Sequence, residues 1–345
     1  MKQMVIGSLR KNAGKTSLIA GLAGVLDARV AYMKPIGDRL VYRRKRLWDH
    51  DSAAMLSLLK SDDDPDAATI GFEPEKLRFI YKETGIKDKL REMADALCSE
   101  DQTLLVEGGR DLTYGSYVGL DPVSVAQTLD ARLVLVVRGD ERKAMDDTTF
   151  LTRRLALPGI ELAGVVINKV RDPEDFCEVY LPELRRLEIP ILGLIPYTPE
   201  LDRVTVQIIT SRLQAKLLAG EASLDRRIRG IVVGPMSLTP TRSRSAPRLD
   251  DKLVVTAGDH NGEVLAAIER GAQAVLLTDD LVPSARLIAR FEREQVPLLL
   301  TGKDCFSAAR AVQEIEPLLE NDDTERWALL TDLVREHVDL DALQG

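Results

Sequence analysis

Apolar residues in this chain fall into short, nearly continuous runs, separated by stretches where they recur at helical spacing. The runs Gln3–Ser8, Arg29–Lys34, Thr103–Glu107, Arg132–Val137, Gly164–Asn168 and Ile191–Leu194 read as strands. RLVLVV and GVVIN are apolar almost throughout, which suits strands covered on both faces. After the first run, Leu18, Leu22 and Val25/Leu26 recur at i, i+4 and i+7/i+8, the period of a helix. This alternation predicts an α/β fold with a doubly wound, mostly parallel sheet. The segment Ser61–Glu100 is polar with helical patterning and reads as an insertion before the Thr103 strand. A long helix is expected over roughly Val204–Leu218, followed by a linker at Ala219–Asp225. A second, smaller α/β unit then begins near Arg229 with RGIVVGPMS, and KLVVTAGD, AVLLTDD and VPLLL supply further strands. Thr239–Arg248 is polar and proline-bearing and reads as a loop, and Thr324–His337 as a final helix. The expected division is 1–218, a linker 219–225, and 226–345 with that helix included.

Composition narrows the function classes. A chain of 345 residues can bury two cores. A formal net charge of −8 argues against a nucleic-acid surface spanning the molecule. The three cysteines, Cys98, Cys177 and Cys305, lie far apart without metal-ligand spacing and read as reduced residues of a cytoplasmic protein. No signal peptide is expected, and no run approaches the roughly 18 apolar residues of a membrane span.

The stretch MVIGSLRKNAGKTSL, Met4–Leu18, sets Gly14-Lys15-Thr16 between a strand and a helix. The phosphate-loop pattern G-x-x-x-x-G-K-[ST] calls for a first glycine where Leu9 stands, and Gly7 lies two residues earlier. The flanking elements are those the chemistry needs, because N–H groups of the turn and helix start then point at phosphates. Ala13, Gly14, Lys15, Thr16 and Ser17 are the candidate nucleotide-binding residues. Lys15 would neutralise the β- and γ-phosphates, and the Thr16 hydroxyl would hold Mg²⁺. The competing reading is an ordinary helix start. A related class of ATPases carries an extra lysine where Arg10 stands, so a membrane-positioning or DNA-segregation ATPase stays open. Arg10 and Lys11 can equally be solvated charges.

Other segments add candidate chemistry. Lys34, in YMKPIGD, stands at the carboxyl edge of the second strand, where open α/β sheets bind ligands; it is a candidate catalytic residue alongside Lys15. A snorkelling surface lysine is the alternative. Asp49 and Asp51 precede a helix, where either can cap it or help hold Mg²⁺. Glu107 ends an apolar strand before Gly108-Gly109, as a metal-side carboxylate or as a partner for Arg110. The glycines there would let backbone approach a ligand closely. Asn168 closes the fifth strand, where its amide can pair with a purine edge or serve a turn. The basic run Tyr42–Asp51 reads as a mobile loop over the nucleotide cleft, as solvated surface, or as a patch in which Trp48 stacks on bases. Arg242, Arg244 and Arg248 form a second, diffuse basic loop, and His260 reads as a solvated histidine or a pH-responsive one.

Together these segments resemble the dethiobiotin synthetase superfamily of P-loop proteins, which includes cobyrinic acid a,c-diamide synthases. Gly14-Lys15-Thr16, Lys34-Pro35, Asp51, Glu107-Gly108, Asn168 and Leu192-Gly193 fall in the family's order over roughly Met1–Leu201. The resemblance implies ATP and Mg²⁺ as cofactors. Thr16, Asp51 and Glu107 would form the metal site, Lys34 would face the reacting carbamate or phosphate, and Asn168 would read adenine. EGGRDLTYGSYVGLD, Glu107–Asp121, is more similar to the N-terminal region of large phosphotransacetylases. A Gly-Ala-Gly-Gly loop after the glutamate is replaced by GGRD, so a biotin precursor is not the expected substrate. Arg226–Pro317 resembles the DRTGG domain, with Asp259-His260 and Thr278-Asp279-Asp280 at its namesake positions.

The resemblance implies a nucleotide-responsive regulator of a metabolic partner, forming a homodimer in the cytoplasm. The alternative is an ATP-dependent synthetase that activates a small carboxylate or carbamate. Expected partners are the nucleotide and a small acidic ligand or a protein, with neither membrane nor nucleic acid. Acetyl transfer to coenzyme A is not expected.

Overall fold

The computed structural model describes residues 2–26, 29–43, 45–154, 159–234, 248–320 and 323–344. They form two compact units: Met1–Tyr197 with Leu319–Gly345, and Thr198–Leu318.

The first unit is an α/β layer structure. In chain order its main elements are β1 (Lys2–Ser8), α1 (Lys15–Val25), β2 (Arg29–Met33), β3 (Leu40–Arg43), β4 (Arg46–Asp49), α2 (His50–Leu58), α3 (Pro74–Ile80) and α4 (Glu83–Leu97). There follow β5 (Gln102–Glu107), α5 (Pro122–Leu129), β6 (Arg132–Arg138), α6 (Glu141–Arg154), β7 (Leu162–Val170) and β8 (Ile191–Pro196). Six strands pair in the order β2-β5-β1-β6-β7-β8, all parallel. The strand chemistry explains the layering. Val5, Val106, Leu135 and Ile167 join one core with Ile86 and Leu90 of α4 and Val125 of α5. The alternate residues Ile6, Leu105, Val134 and Val166 are equally buried, so both faces are covered. Each of the six sheet strands expected from the hydrophobic runs is present, and the polar insertion before β5 is helical as patterned.

Order β5-β1-β6 puts the carboxyl ends of β1 and β5 side by side, Ile6 opposite Glu107. The loops after these strands therefore meet, and the site lies there.

Three expectations change. The basic run Tyr42–Asp51 is a hairpin, β3 paired antiparallel to β4 with Lys45 at φ 63°, and not a loop. Its Trp48 is 8% exposed, so it packs inward and presents no stacking face; Arg44 lies outside the described residues. The helix expected over Val204–Leu218 is shorter, Val206–Leu213, because Gln214 turns left-handed (φ 51°) and Lys216–Ala219 becomes a strand. Finally, the C-terminal helix Thr324–His337 belongs to the first unit, not to the second. It packs on α1, where Gly21 and Gly24 leave room for Val334 and Thr331, and the Trp327 indole donates to the Ala20 carbonyl at 2.8 Å.

The second unit has a five-stranded sheet in the order Lys216–Ala219, Leu298–Leu300, Ala274–Thr278, Lys252–Ala257, Gly230–Val233, with the first strand antiparallel and the rest parallel. Its two faces carry separate cores, one around Val254, Leu277 and Phe291 and one around Val255, Leu276 and Ile209. Thr239–Pro247 of the expected loop lie outside the described residues.

Candidate functional site

Ser8 ends β1 and Lys15 begins α1, so a six-residue turn joins strand to helix. The turn needs left-handed backbone at Asn12 (φ 60°) and at Gly14 (φ 100°). A Cβ at Gly14 would overlap the Asn168 amide nitrogen, so glycine is required there by both conformation and space. Among the described residues no side chain caps α1, which leaves the N–H groups of its first turn directed into the loop. Gly7, the displaced first glycine, serves packing instead, since a Cβ there would come within 3.0 Å of Pro122.

Lys15 lies back across this turn. Its Nζ donates to Ser8 Oγ and to the Arg110 carbonyl, both at 3.1 Å. Burial pulls its ammonium below the ordinary lysine value, with Glu107 pulling the other way. Both direct partners are neutral oxygens. Beside it, the Thr16 hydroxyl donates to Glu107 Oε1 at 2.7 Å, and the Tyr32 hydroxyl to Glu107 Oε2 at 2.8 Å. Burial pushes Glu107 up to about 6, against the favourable charges of Lys34 and Lys15. A hydroxyl and a carboxylate side by side are the hard oxygen donors that Mg²⁺ takes. The phosphate cradle and this donor pair both fit a Mg-nucleotide.

Lys34 sits in a different environment. It is 1% exposed, and its Nζ lies 2.6 Å from Asp38, 2.6 Å from Asp51 and 3.2 Å from Asp49. Burial lowers its pKa, yet Asp51, Glu107, Asp49 and Asp38 together hold it well above the usual lysine value. Asp49 caps α2 through the Ser52 N–H at 3.1 Å and also accepts from the Asp38 and Arg39 N–H groups. Asp51 Oδ2 accepts from Arg39 Nη1 at 2.7 Å as well as from Lys34. Burial would raise the Asp51 carboxyl, but Lys34, His50 and Arg39 hold it far below the carboxylate range. Asp38, Asp49 and Asp51 could by spacing hold a cation; in this arrangement the Lys34 ammonium supplies the positive charge.

Thr16, Glu107 and Lys15 are thus brought together, while Asp51 is engaged by Lys34 and Arg39. Asn168 lies against the loop: its amide donates to the Ala13 carbonyl at 2.9 Å, and it is buried at the end of β7. Gly108 and Gly109 give room to Pro122 and Tyr114, since a Cβ on either would come within 2.6 Å of those side chains. Arg10 forms a forked pair with Asp147 of α6, Nη2–Oδ1 at 2.8 Å and Nε–Oδ2 at 2.9 Å. Arg110 lies 3.7 Å from Asp38, not on Glu107. Sequence reasoning passed over Tyr32, Asp38 and Arg39. Tyr32 is hidden in an ordinary strand alternation, and the two loop residues carry no spacing signal.

In the second unit, Asp279 and Asp280 adopt left-handed backbone (φ 61° and 53°), a conformation aspartate tolerates. The Thr278 hydroxyl donates to Asp279 at 2.7 Å, and His260 lies 3.4 Å from Glu263.

Residues 2–205 match the AAA domain model, and residues 208–315 match the DRTGG domain. A phosphate acetyltransferase of Pseudomonas putida is 26% identical over 261 residues, covering 70% of this chain and 37% of that protein. Another, from Pseudomonas aeruginosa, is 22% identical over 359 residues, 96% of this chain and 50% of that protein. The chain spans about half the length of the curated relatives it matches across its whole extent. Among solved structures, the MinC:MinD cell division protein complex of Aquifex aeolicus aligns at 15% identity and a TM-score of 0.35, over 58% of this chain and 84% of that one. Among the described residues, no helix is long and apolar enough to cross a membrane.

Proposed function

Since this chain belongs to the AAA-domain family and carries a DRTGG domain after it, we propose that it binds ATP with Mg²⁺ and regulates a metabolic partner through its nucleotide state. The observation that carries this reading is the Lys15 ammonium, bound among the described residues only by neutral oxygens, over a glycine-opened helix start. An ammonium in that setting gains more from a phosphate than one already paired with carboxylates. Thr16 and Glu107 would hold the metal, with Ala13, Gly14 and Ser17 around the phosphates. Bound Mg²⁺ would supply charge neutralisation on the β- and γ-phosphates. Asn168 would fix the loop through the Ala13 carbonyl, and Tyr32 would orient Glu107. The family resemblance extends the proposal to a cytoplasmic homodimer.

Lys34 bears on the choice between regulator and synthetase. Its burial among three carboxylates supports a structural duty, which favours the regulator. A second reading rests on a cavity of about 800 Å³ lined by Asp38, Arg110 and Tyr114 among others. This volume suits a small ligand, and its Arg110 wall is the residue whose carbonyl holds Lys15. In that reading the chain activates a small acid bound there.

Equilibrium dialysis with ATP, with and without Mg²⁺, tests the reading. Saturable uptake that Mg²⁺ strengthens in wild type, and no longer strengthens in Glu107→Gln, is the expected result. Uptake indifferent to Mg²⁺ in the wild type would contradict it. Phosphate release that rises when small carboxylates are added would move the assignment to the synthetase.

A further inference from the structure

The first unit has a second cavity, of about 650 Å³, whose lining includes Arg78, Lys82, Lys87 and Arg91. We propose that it is a binding site for a small polyanion bearing phosphate or carboxylate groups, separate from the nucleotide loop. The proposal does not rest on the nucleotide reading.

Charge carries the argument. Among the described residues, four cations line the cavity and no carboxylate does, in a chain whose net charge is −8. Several basic residues elsewhere in this unit pair with a neighbour on their own helix or just before it: Lys76 with Glu73, Lys89 with Glu92, Lys143 with Asp140, Arg186 with Glu183. Here only Arg91 does so, with Asp88 at 3.5 Å, while its Nε donates to the Thr128 carbonyl at 3.3 Å. Lys82 and Lys87 make no ion pair among the described residues. The Arg78 guanidinium lies 4.6 Å over the Tyr117 ring, which holds it at the rim without neutralising it.

Like charges gathered in a concave wall repel one another and focus a positive potential into the hollow. An anion removes that cost, and each ammonium contact it makes is a charge-assisted hydrogen bond. The buried side chains of Ile86 and Val118 give the cavity an apolar wall, so an occupant would be partly shielded from water. Its volume falls in the range of small-molecule sites, about 300–1,000 Å³. Ser116 and Tyr117 line both this cavity and the larger one beside Arg110, so an occupant would abut the segment whose other end holds Lys15.

Calorimetric titration of the full chain with pyrophosphate and, separately, with citrate tests the site. Wild type, Lys82→Gln/Lys87→Gln and Lys15→Ala are compared, with thermal melts to confirm folding. At least one probe should saturate, survive Lys15→Ala, and bind about tenfold or more weakly to the paired lysine variant. Failure of both probes to saturate wild type would overturn the proposal. So would binding that the folded lysine pair variant retains at full affinity, or that the folded Lys15→Ala chain loses altogether.

Discussion

Two buried lysines stand at the carboxyl edge of one sheet and have opposite surroundings. Lys15 has a serine hydroxyl and a backbone carbonyl for partners, and burial lowers its pKa. Lys34 has three carboxylates, which overcome burial and raise its pKa. A lysine bound only by neutral oxygens has charge left to give to an incoming phosphate. One enclosed by carboxylates has already been neutralised and serves the chain. Residue type and position at a strand end are shared; the neighbours decide the role.

The largest test of this contrast is Lys34→Met. Removing the cation strands three buried carboxylates, and we expect a loss of about 3–5 kcal/mol in a urea titration. A loss below ~1 kcal/mol would mean the cluster is solvated and the contrast is false. Gly14→Ala should come next, costing about 1–3 kcal/mol for the left-handed backbone and the overlap with Asn168, and removing nucleotide binding. The same lysine cluster predicts a pH dependence. Asp51 titrates below its unfolded value when folded, so its contribution is present above about pH 4 and is lost as pH falls below that toward the folded value. Asp51→Asn should flatten the acid limb of a stability-versus-pH curve, and an unchanged limb would place the acid sensitivity elsewhere. Smallest in stability is Lys15→Met, expected within about 1 kcal/mol of wild type because no carboxylate loses its only partner.

Much of the first unit was legible because its strands are uninterrupted apolar runs, and runs such as Leu133–Val137 have one good solution, a sheet covered on both faces. The loop was legible for a similar reason: strand, Gly14-Lys15-Thr16 and helix are local in sequence. What stayed hidden depends on distance. Nothing near Lys34 announces that Asp49 and Asp51, fifteen and seventeen residues on, fold back onto its ammonium. The Val204–Leu218 stretch looked like one helix because its apolar residues fit either period, and pairing with Leu298–Leu300 turned its end into a strand. The C-terminal helix followed the second unit in sequence, but its fit against Gly21 and Gly24 of α1 is a tertiary fact.

The central claim is that Lys15 is the lysine held ready for phosphate. Calorimetric titration of Mg-ATP into wild type and Lys15→Met tests it most directly. The account predicts saturable binding to wild type and none measurable to a variant that melts like wild type. Equal affinity in both, or no uptake by folded wild type, would contradict it.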